Sequence, residues 1–189
     1  MRKGLWIGLG VVVLALAMVG LSYVSARNQM VQKQQEVKSQ WSEVDVQMER
    51  RADLIPNLVQ TVKGFTKEES TVFGDIANAR AGMLNAQGRQ AKIAANNQLD
   101  GALGHLLMLT ENYPQLRSSE QFMRLQDELA GTENRIGVAR KRYNDSLQDY
   151  NTFVLQFPNN IWAGIAGFKQ DDAYFRASPE KQAVPNVQF

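Results

Sequence analysis

The sequence contains no cysteine and only one histidine, His105. Without cysteine the chain can form neither disulfides nor thiolate sites, and it has no N-terminal cysteine for lipid attachment. One histidine cannot supply the two Glu-x-x-His pairs of a di-iron bundle, and a zinc site would need several His or Cys ligands. We therefore predict no metal and no cofactor, and we expect His105 to be a packed or surface side chain.

The charges are nearly balanced, with 21 basic and 19 acidic residues and a formal net charge of +2. Nucleic-acid binding usually requires a dense basic face, and the sequence has none, so we predict no nucleic-acid partner. The phosphate-binding and nucleophile motifs GxxxxGK[ST], GxGxxG and GxSxG are also absent. We predict that the protein is not an enzyme, and an enzyme of unfamiliar type is the remaining alternative.

The N-terminal region contains a run of twenty consecutive residues without a charge, from Leu5 to Val24. Its length as a helix is about 30 Å, which matches the hydrocarbon core of a bilayer. Trp6 and Tyr23 lie near its two ends, where aromatic rings suit the membrane interfaces. The run predicts a transmembrane helix whose partner is the lipid bilayer.

A cleaved signal peptide is the alternative for this segment, because Val24-Ser25-Ala26 offers small residues to a peptidase. We favour an anchor, because the apolar run is longer than that of a usual signal peptide and a helical pattern follows it. Arg2 and Lys3 precede the run and favour a cytoplasmic N-terminus. We therefore predict a single-pass membrane protein whose domain lies outside the cytoplasm.

The rest of the chain predicts an all-α fold with four long helices. Residues 25–51 contain no proline or glycine, so the membrane helix is expected to continue into water. Asp53 is suited to cap a second, kinked helix over residues 53–86, with Pro56 in its first turn. The third helix is expected over about 91–112. Together with a fourth helix, these predict a long antiparallel four-helix bundle.

The fourth helix, over residues 119–157, has the clearest pattern. Its apolar residues alternate steps of three and four, with one extra step of four that is typical of a stutter in a coiled coil. Such a stripe must be covered by partner helices along its length. The stripe consists of Phe122, Leu125, Leu129, Thr132, Ile136, Ala139, Tyr143, Leu147, Tyr150, Val154 and Phe157.

These elements predict three regions: an anchor over residues 1–27, a bundle domain over 28–158, and a partly irregular tail over 159–189 that packs on the bundle. Asn159-Asn160 is expected to form a turn at the start of the tail. The apolar segment that follows contains Trp162 and Phe168, for which we hold two hypotheses. Both rings close the end of the bundle core, or both form an exposed contact patch.

A second group of candidate interaction residues is polar. They are either solvated pairs along helix surfaces or links between helices and to a partner. They are Arg51, Asp53, Asn57, Arg80, Glu133 and Arg140. Tyr143-Asn144 also recurs seven residues later as Tyr150-Asn151, on one side of the fourth helix. This repeat indicates either a hydrogen-bonded edge of the core or a binding ladder.

The sequence resembles the LemA family of bacterial membrane proteins. The resemblance rests on the run RADLIPNLV from Arg51, on YPQL from Tyr113, on LQDELAGTENRI from Leu125, and on both Tyr-Asn steps. It implies an N-terminal membrane helix followed by a long antiparallel helical bundle, and no established enzymatic activity. For a bacterial protein, the orientation that Arg2 and Lys3 favour predicts an inner-membrane anchor with a periplasmic domain. The family is sometimes assigned a cytoplasmic domain, which is the opposite orientation.

From these patterns we predict a membrane-anchored helical scaffold or adaptor of the cell envelope. It would act as a homo-oligomer or by binding a membrane-protein partner. The alternative function is a ligand-binding or sensor module, with a pocket between the helices near Tyr143, Asn144 and Tyr150.

Overall fold

The computed structural model describes residues 2–66 and 69–176, with side chains from residue 6 onward. Within this part of the chain the fold is all-helical, and no strand is present. The end of the predicted tail, residues 177–189, lies outside the described residues. The helices are α1 (Arg2–Lys63), α2 (Ser70–Asn85), α3 (Arg89–Thr110), α4 (Pro114–Arg117), α5 (Glu120–Leu155) and α6 (Asn159–Ala166).

The first helix, α1, runs without interruption for 62 residues. The predicted helix start at Asp53 is therefore wrong, and Pro56 lies inside α1 rather than in the first turn of a new helix. Interior proline is unfavourable by about 3 kcal/mol, but Ile55 and Leu58 on either side of it are buried and hold the helix in place. The same packing favours continuation over a cap at Asp53.

The chain instead breaks after Lys63, so the predicted kinked helix over 53–86 is two helices. The amide of Gly64 donates to the carbonyl of Gln60, and the amides of Phe65 and Thr66 both donate to the carbonyl of Val62. These bonds satisfy the last carbonyls of α1 and end it. The helix α2 then begins at Ser70 and packs against α3.

The helices α3 and α5 lie close to the third and fourth predicted helices, which were expected over about 91–112 and over 119–157. Gly88 precedes α3 with a φ of 83°, a conformation that favours glycine. Pro114 occupies the first turn of the short helix α4, which the sequence did not predict. Asn159-Asn160, expected to be a turn, begins α6 instead, and that helix ends at Gly167 with a φ of 78°.

Burial along α5 follows the predicted stripe. All of its members from Phe122 to Val154 are buried except Leu129, which is half-buried. Phe157 is the second exception, because α5 ends at Leu155 and leaves this ring 80% exposed. The extra step of four therefore keeps Tyr143 and Leu147 both inside the protein, as a stutter is expected to do.

The described residues form two compact units, to each of which α1 and α5 contribute part of their length. One unit contains residues 2–40 and 143–172, with Met30, Leu147 and Ala163 in its core. The other contains residues 41–142 and 173–176, and its core draws on α1, α2, α3 and α5. The predicted region boundaries at residues 27 and 158 stay predictions.

The burial of α5 predicts a clear difference between its two faces. Ile136→Ala removes a side chain with no exposed surface, so it should lower the free energy of unfolding by about 2–5 kcal/mol through lost transfer energy and a cavity. Urea unfolding of the full chain in mild detergent, followed by circular dichroism, measures this change. Gln148→Ala, at an exposed position, is the control and should change stability by less than about 0.5 kcal/mol. Equal losses would contradict the observed register.

Candidate functional site

A buried cation, Arg51, lies at the centre of the most extensive polar cluster in the described part of the chain. The residue is 3% exposed. One end of its guanidinium donates to Glu133 Oε2, and the other donates to Asp100 Oδ1 and, at 2.6 Å, to Asn96 Oδ1. Because these partners lie on α3 and α5, one side chain of α1 joins three helices.

Arg140 completes this cluster and makes it electrically neutral. Its Nη2 lies 3.5 Å from Asp100 Oδ2 as an ion pair, and the Asn96 amide donates to the same oxygen at 3.2 Å. Two cations thus face two carboxylates, a balance that a buried guanidinium requires because its desolvation is costly. Nε of Arg51 and both Nε and Nη2 of Arg140 are buried without a hydrogen-bond acceptor among the described residues. The cluster therefore balances charge more completely than it satisfies hydrogen bonds.

Two smaller polar links also tie α1 to other helices. Lys92 of α3 binds Asp45, with Nζ 2.6 Å from Oδ2. Arg80 of α2 donates from Nε to the carbonyl of Ala52 at 2.8 Å, and its Nη2 lies 3.8 Å from the exposed Asp53 carboxylate. Each link joins α1 to a different neighbouring helix, so together with Arg51 they fix α1 against α2, α3 and α5.

The structure thus brings together three of the predicted polar residues, Arg51, Glu133 and Arg140, and places Arg80 beside Asp53. Asn57 is exposed and lies away from them, on an open groove of about 450 Å³ that Glu120 and Arg124 also line. Sequence reasoning missed the members from α3. These members are Lys92, Asn96 and Asp100. Their spacing of four residues puts the three side chains on one helix face, and this spacing was the signal that the sequence offered.

The second Tyr-Asn step holds the segment that follows α6. The Tyr150 hydroxyl donates to the Lys169 carbonyl at 2.9 Å. The Asn151 amide bonds the backbone of Asp171 twice, donating to its carbonyl at 2.8 Å and accepting from its N–H at 2.9 Å. Burial raises the pKa of Tyr150, and the Asp171 carboxylate raises this pKa further. These side chains fix the backbone of their own chain.

In the first Tyr-Asn step, the Tyr143 ring has no exposed surface and Asn144 is half-buried. Because Tyr143 and Tyr150 are both buried, protein covers both rings. The binding-ladder alternative for this repeat stays a prediction.

Aromatic contacts involve Trp162, one of the two predicted tail residues, and Phe175, which was not a predicted site residue. Trp162 of α6 meets Tyr23 of α1 edge to face, with 5.7 Å between ring centroids. Its indole N–H has no acceptor among the described residues, so the contact is an apolar and aromatic one. Phe168 is half-buried. Phe175 stacks on Trp41 at 5.9 Å and lies 5.1 Å from the Arg140 guanidinium.

The apolar part of α1 is uncovered. Every residue from 6 to 22 is exposed, Tyr23 is the first to be partly covered, and Ala26 is the first to be buried. This is the one stretch of the described residues that is long and apolar enough to cross a membrane. Protein packing on α1 therefore begins where its apolar run ends. Among the described residues no group of three or more His, Asp or Glu side chains could hold a metal ion.

Comparison with known proteins gives one matching family and four similar relatives, of which three follow. The model of the LemA family matches residues 40–189. The chain is 25% identical to magnetosome protein MamQ 2 of Paramagnetospirillum magneticum, over 80% of this chain and 65% of that protein. It is 26% identical to magnetosome protein MamQ of Magnetospirillum gryphiswaldense, over 91% and 75% of the two chains. It is 21% identical to protein LemA of Metamycoplasma hominis, over 80% and 69%. The chain spans slightly less than two thirds of the first of these relatives.

The Arg51 cluster predicts a large effect when one carboxylate is removed. Asp100→Ala removes the carboxylate that accepts from Arg51 and Asn96 and pairs with Arg140, and it should lower the free energy of unfolding by about 3–5 kcal/mol. Urea unfolding measures the loss. Glu120→Ala is the matched control, because it breaks a solvent-exposed ion pair with Arg124 and should change stability by about 0.5 kcal/mol or less. Similar losses in both variants would show that the Arg51 cluster contributes no more to stability than an exposed ion pair.

The raised pKa of Tyr150 predicts a pH dependence. Below about pH 10 the phenol is protonated whether the chain is folded or unfolded. As the pH rises further, the unfolded chain ionises first, so the folded state loses stability until the pH exceeds the raised pKa. Tyr150→Phe should therefore be less stable than the wild type by about 0.5–1.5 kcal/mol at pH 7, and the difference should shrink above pH 10. Unfolding at both pH values tests this, with Tyr113→Phe as control. A difference that stays constant would contradict it.

Proposed function

The chain belongs to the LemA family, and we propose that it is a membrane-anchored helical scaffold or adaptor of the bacterial cell envelope. It acts without catalysis, through self-association or by binding a membrane-protein partner. The observation that carries the proposal is the uncovered apolar stretch of α1, residues 6–22, on the same helix that joins α2, α3 and α5.

The energetics of this stretch support an anchor. Burying one large apolar side chain is favourable by about 1.5–3 kcal/mol, and the segment leaves more than ten such side chains without protein cover. A bilayer supplies the missing apolar environment over the required length of about 30 Å. Each backbone group inside the span is paired within the helix, as the membrane interior requires.

The second compact unit is best described as an antiparallel four-helix bundle formed by parts of α1 and α5 with α2 and α3. The buried stripe of α5 and the polar links from Arg51, Arg80 and Asp45 support this arrangement, because they connect all four helices. A buried, hydrogen-bonded charge cluster contributes more to a unique helix pairing than to stability. Rigid pairing suits a scaffold.

A non-catalytic role accounts for how the polar residues are used. Arg51, Asp100 and Glu133 are engaged with one another, and Tyr150 and Asn151 hold backbone. The relatives described above are named for a cellular structure, the magnetosome, and for the family itself. Both observations favour an architectural role.

For localisation we propose the bacterial inner membrane, with the N-terminus in the cytoplasm and both compact units in the periplasm. Arg2 and Lys3 precede the span, and the positive-inside rule places such residues on the cytoplasmic side. On the other side the first basic residues, Arg27 and Lys33, are followed by the acidic Glu36, which dilutes the opposing charge.

The anchor and its orientation can be tested together, because the natural chain has no cysteine. Ser42→Cys places one thiol at an exposed position of α1 outside the span. In intact spheroplasts a membrane-impermeant maleimide should label it, and the labelled chain should stay in the membrane fraction after a carbonate wash. A labelled chain released by the wash would favour a cleaved signal peptide. A membrane-bound chain labelled only after lysis would reverse the orientation.

Self-association or partner binding is expected to involve the exposed apolar surface of the bundle. Val46 of α1 and Val138 of α5 are exposed, and Val138 lines an open groove with Glu43 and Gln47. A photo-crosslinking amino acid at either position, in living cells, should give a discrete product of higher mass that mass spectrometry identifies. The same probe at the exposed Gln148 is the control. A protein that is monomeric in mild detergent and gives no product at either valine would contradict the scaffold.

A further inference from the structure

The region around α6 combines exposed apolar side chains with an absence of charge. From Tyr150 to Phe168 the sequence contains no charged residue. Within it, Phe157 is 80% exposed, and Ile161 and Ile165 are also exposed. Isolated exposed apolar residues are ordinary, but a group of them in an uncharged stretch marks a contact surface.

The helix α6 presents this surface in a fixed direction. Ala163 is buried, and its neighbour Trp162 packs on Tyr23, so this side faces α1. Ile161 and Ile165 are four residues apart, which puts them together on another side of the helix, facing away from the protein. The helix is therefore held by one apolar side while a second apolar side is left uncovered.

The contact with Tyr23 fixes the level of α6 along α1. Tyr23 is the first residue of α1 that the protein covers, directly after the uncovered run of residues 6–22. If that run spans the bilayer, as proposed above, Tyr23 lies at the interface where the span ends. The Trp162 ring, 5.7 Å away, is then at the same level, and tryptophan is itself enriched there.

We propose that α6 is an interfacial membrane helix, whose Ile161 and Ile165, with Phe157 just before it, insert into the lipid surface beside the anchor. The occupant of this surface is the lipid bilayer, because α6 contacts α1 at Tyr23, directly after the uncovered run of residues 6–22. Eight residues are too few to cross the membrane, whereas interfacial helices lie in the plane with their apolar side buried by about 5–10 Å. Lys169, the first charge after the stretch, is suited to reach lipid phosphates.

The proposal rests on the membrane anchor, so its test must separate the two. The full chain, naturally free of cysteine, is given one thiol at a time by Leu14→Cys, Ile165→Cys or Val138→Cys. Each variant carries an environment-sensitive fluorophore and is reconstituted into vesicles of phosphatidylcholine and phosphatidylglycerol that contain brominated lipids. Val138 is an exposed apolar residue like Ile165, at 53% and 66% exposure, but it lies 17 residues before the end of α5. It therefore controls for exposed apolar character alone.

The proposal expects brominated lipids to quench the probe at position 14 and, by roughly twofold or more, the probe at position 165, with bromine near the headgroup most effective at position 165. The probe at position 138 should be quenched little. Quenching at position 14 without quenching at position 165 would overturn the interfacial helix and leave the anchor intact. Absence of quenching at position 14 would overturn both.

A second copy of the chain is the competing occupant of this surface. In that case the probe at position 165 would shift to the blue as the ratio of protein to lipid rises, without quenching by brominated lipid. That result would also overturn the proposal. Far-ultraviolet circular dichroism of each labelled variant, matching that of the unlabelled chain, ensures that the comparison is made on folded protein.

Discussion

A single uninterrupted helix, α1, imposes the main constraint on this structure. Residues 6–22 expose only apolar and small side chains, and from Ala26 onward one side of the same helix is buried. The first stretch requires an apolar environment, and the second requires partner helices. Because the backbone is continuous, one helix must meet both requirements. The helix survives Pro56 in its interior because Ile55 and Leu58 bury beside it. The apolar run and the first buried positions of α1 are therefore parts of one helix.

The Arg51 cluster shows how partner helices are selected along that axis. Apolar stripes alone would allow neighbouring helices to slide by a turn, since leucine and isoleucine pack in many registers. A buried guanidinium does not allow this, because a displaced Arg51 would lose Asp100 and Glu133 and leave an uncompensated charge. We therefore infer that the cluster selects the register of the helices. Some guanidinium nitrogens of Arg51 and Arg140 have no hydrogen-bond acceptor among the described residues, which is consistent with a modest net gain in stability.

The sequence predicted the all-helical class, the apolar run and the buried stripe of α5, because each depends on periodicity over many residues. It failed at Asp53, where local preferences for a cap and a first-turn proline were overridden by packing on both sides of the site. It predicted Arg51, Glu133 and Arg140 as a group of polar candidates but missed Asn96 and Asp100. On α3 these residues resemble a solvated face, and only the position of Arg51 against them reveals their role.

One side of α6 is exposed because the segments directly before and after this helix are fixed in position. The helix follows directly from α5, and the backbone just beyond it is fixed by three hydrogen bonds from Tyr150 and Asn151. Turning Ile161 and Ile165 inward would gain about 1.5–3 kcal/mol for each side chain. It would also rotate Trp162 away from Tyr23 and break bonds to Lys169 and Asp171 that contribute about 0.5–1.5 kcal/mol each. Because these contributions are comparable, a further apolar contact on the outward side would decide the orientation. Under the proposed membrane anchor, the bilayer would supply that contact.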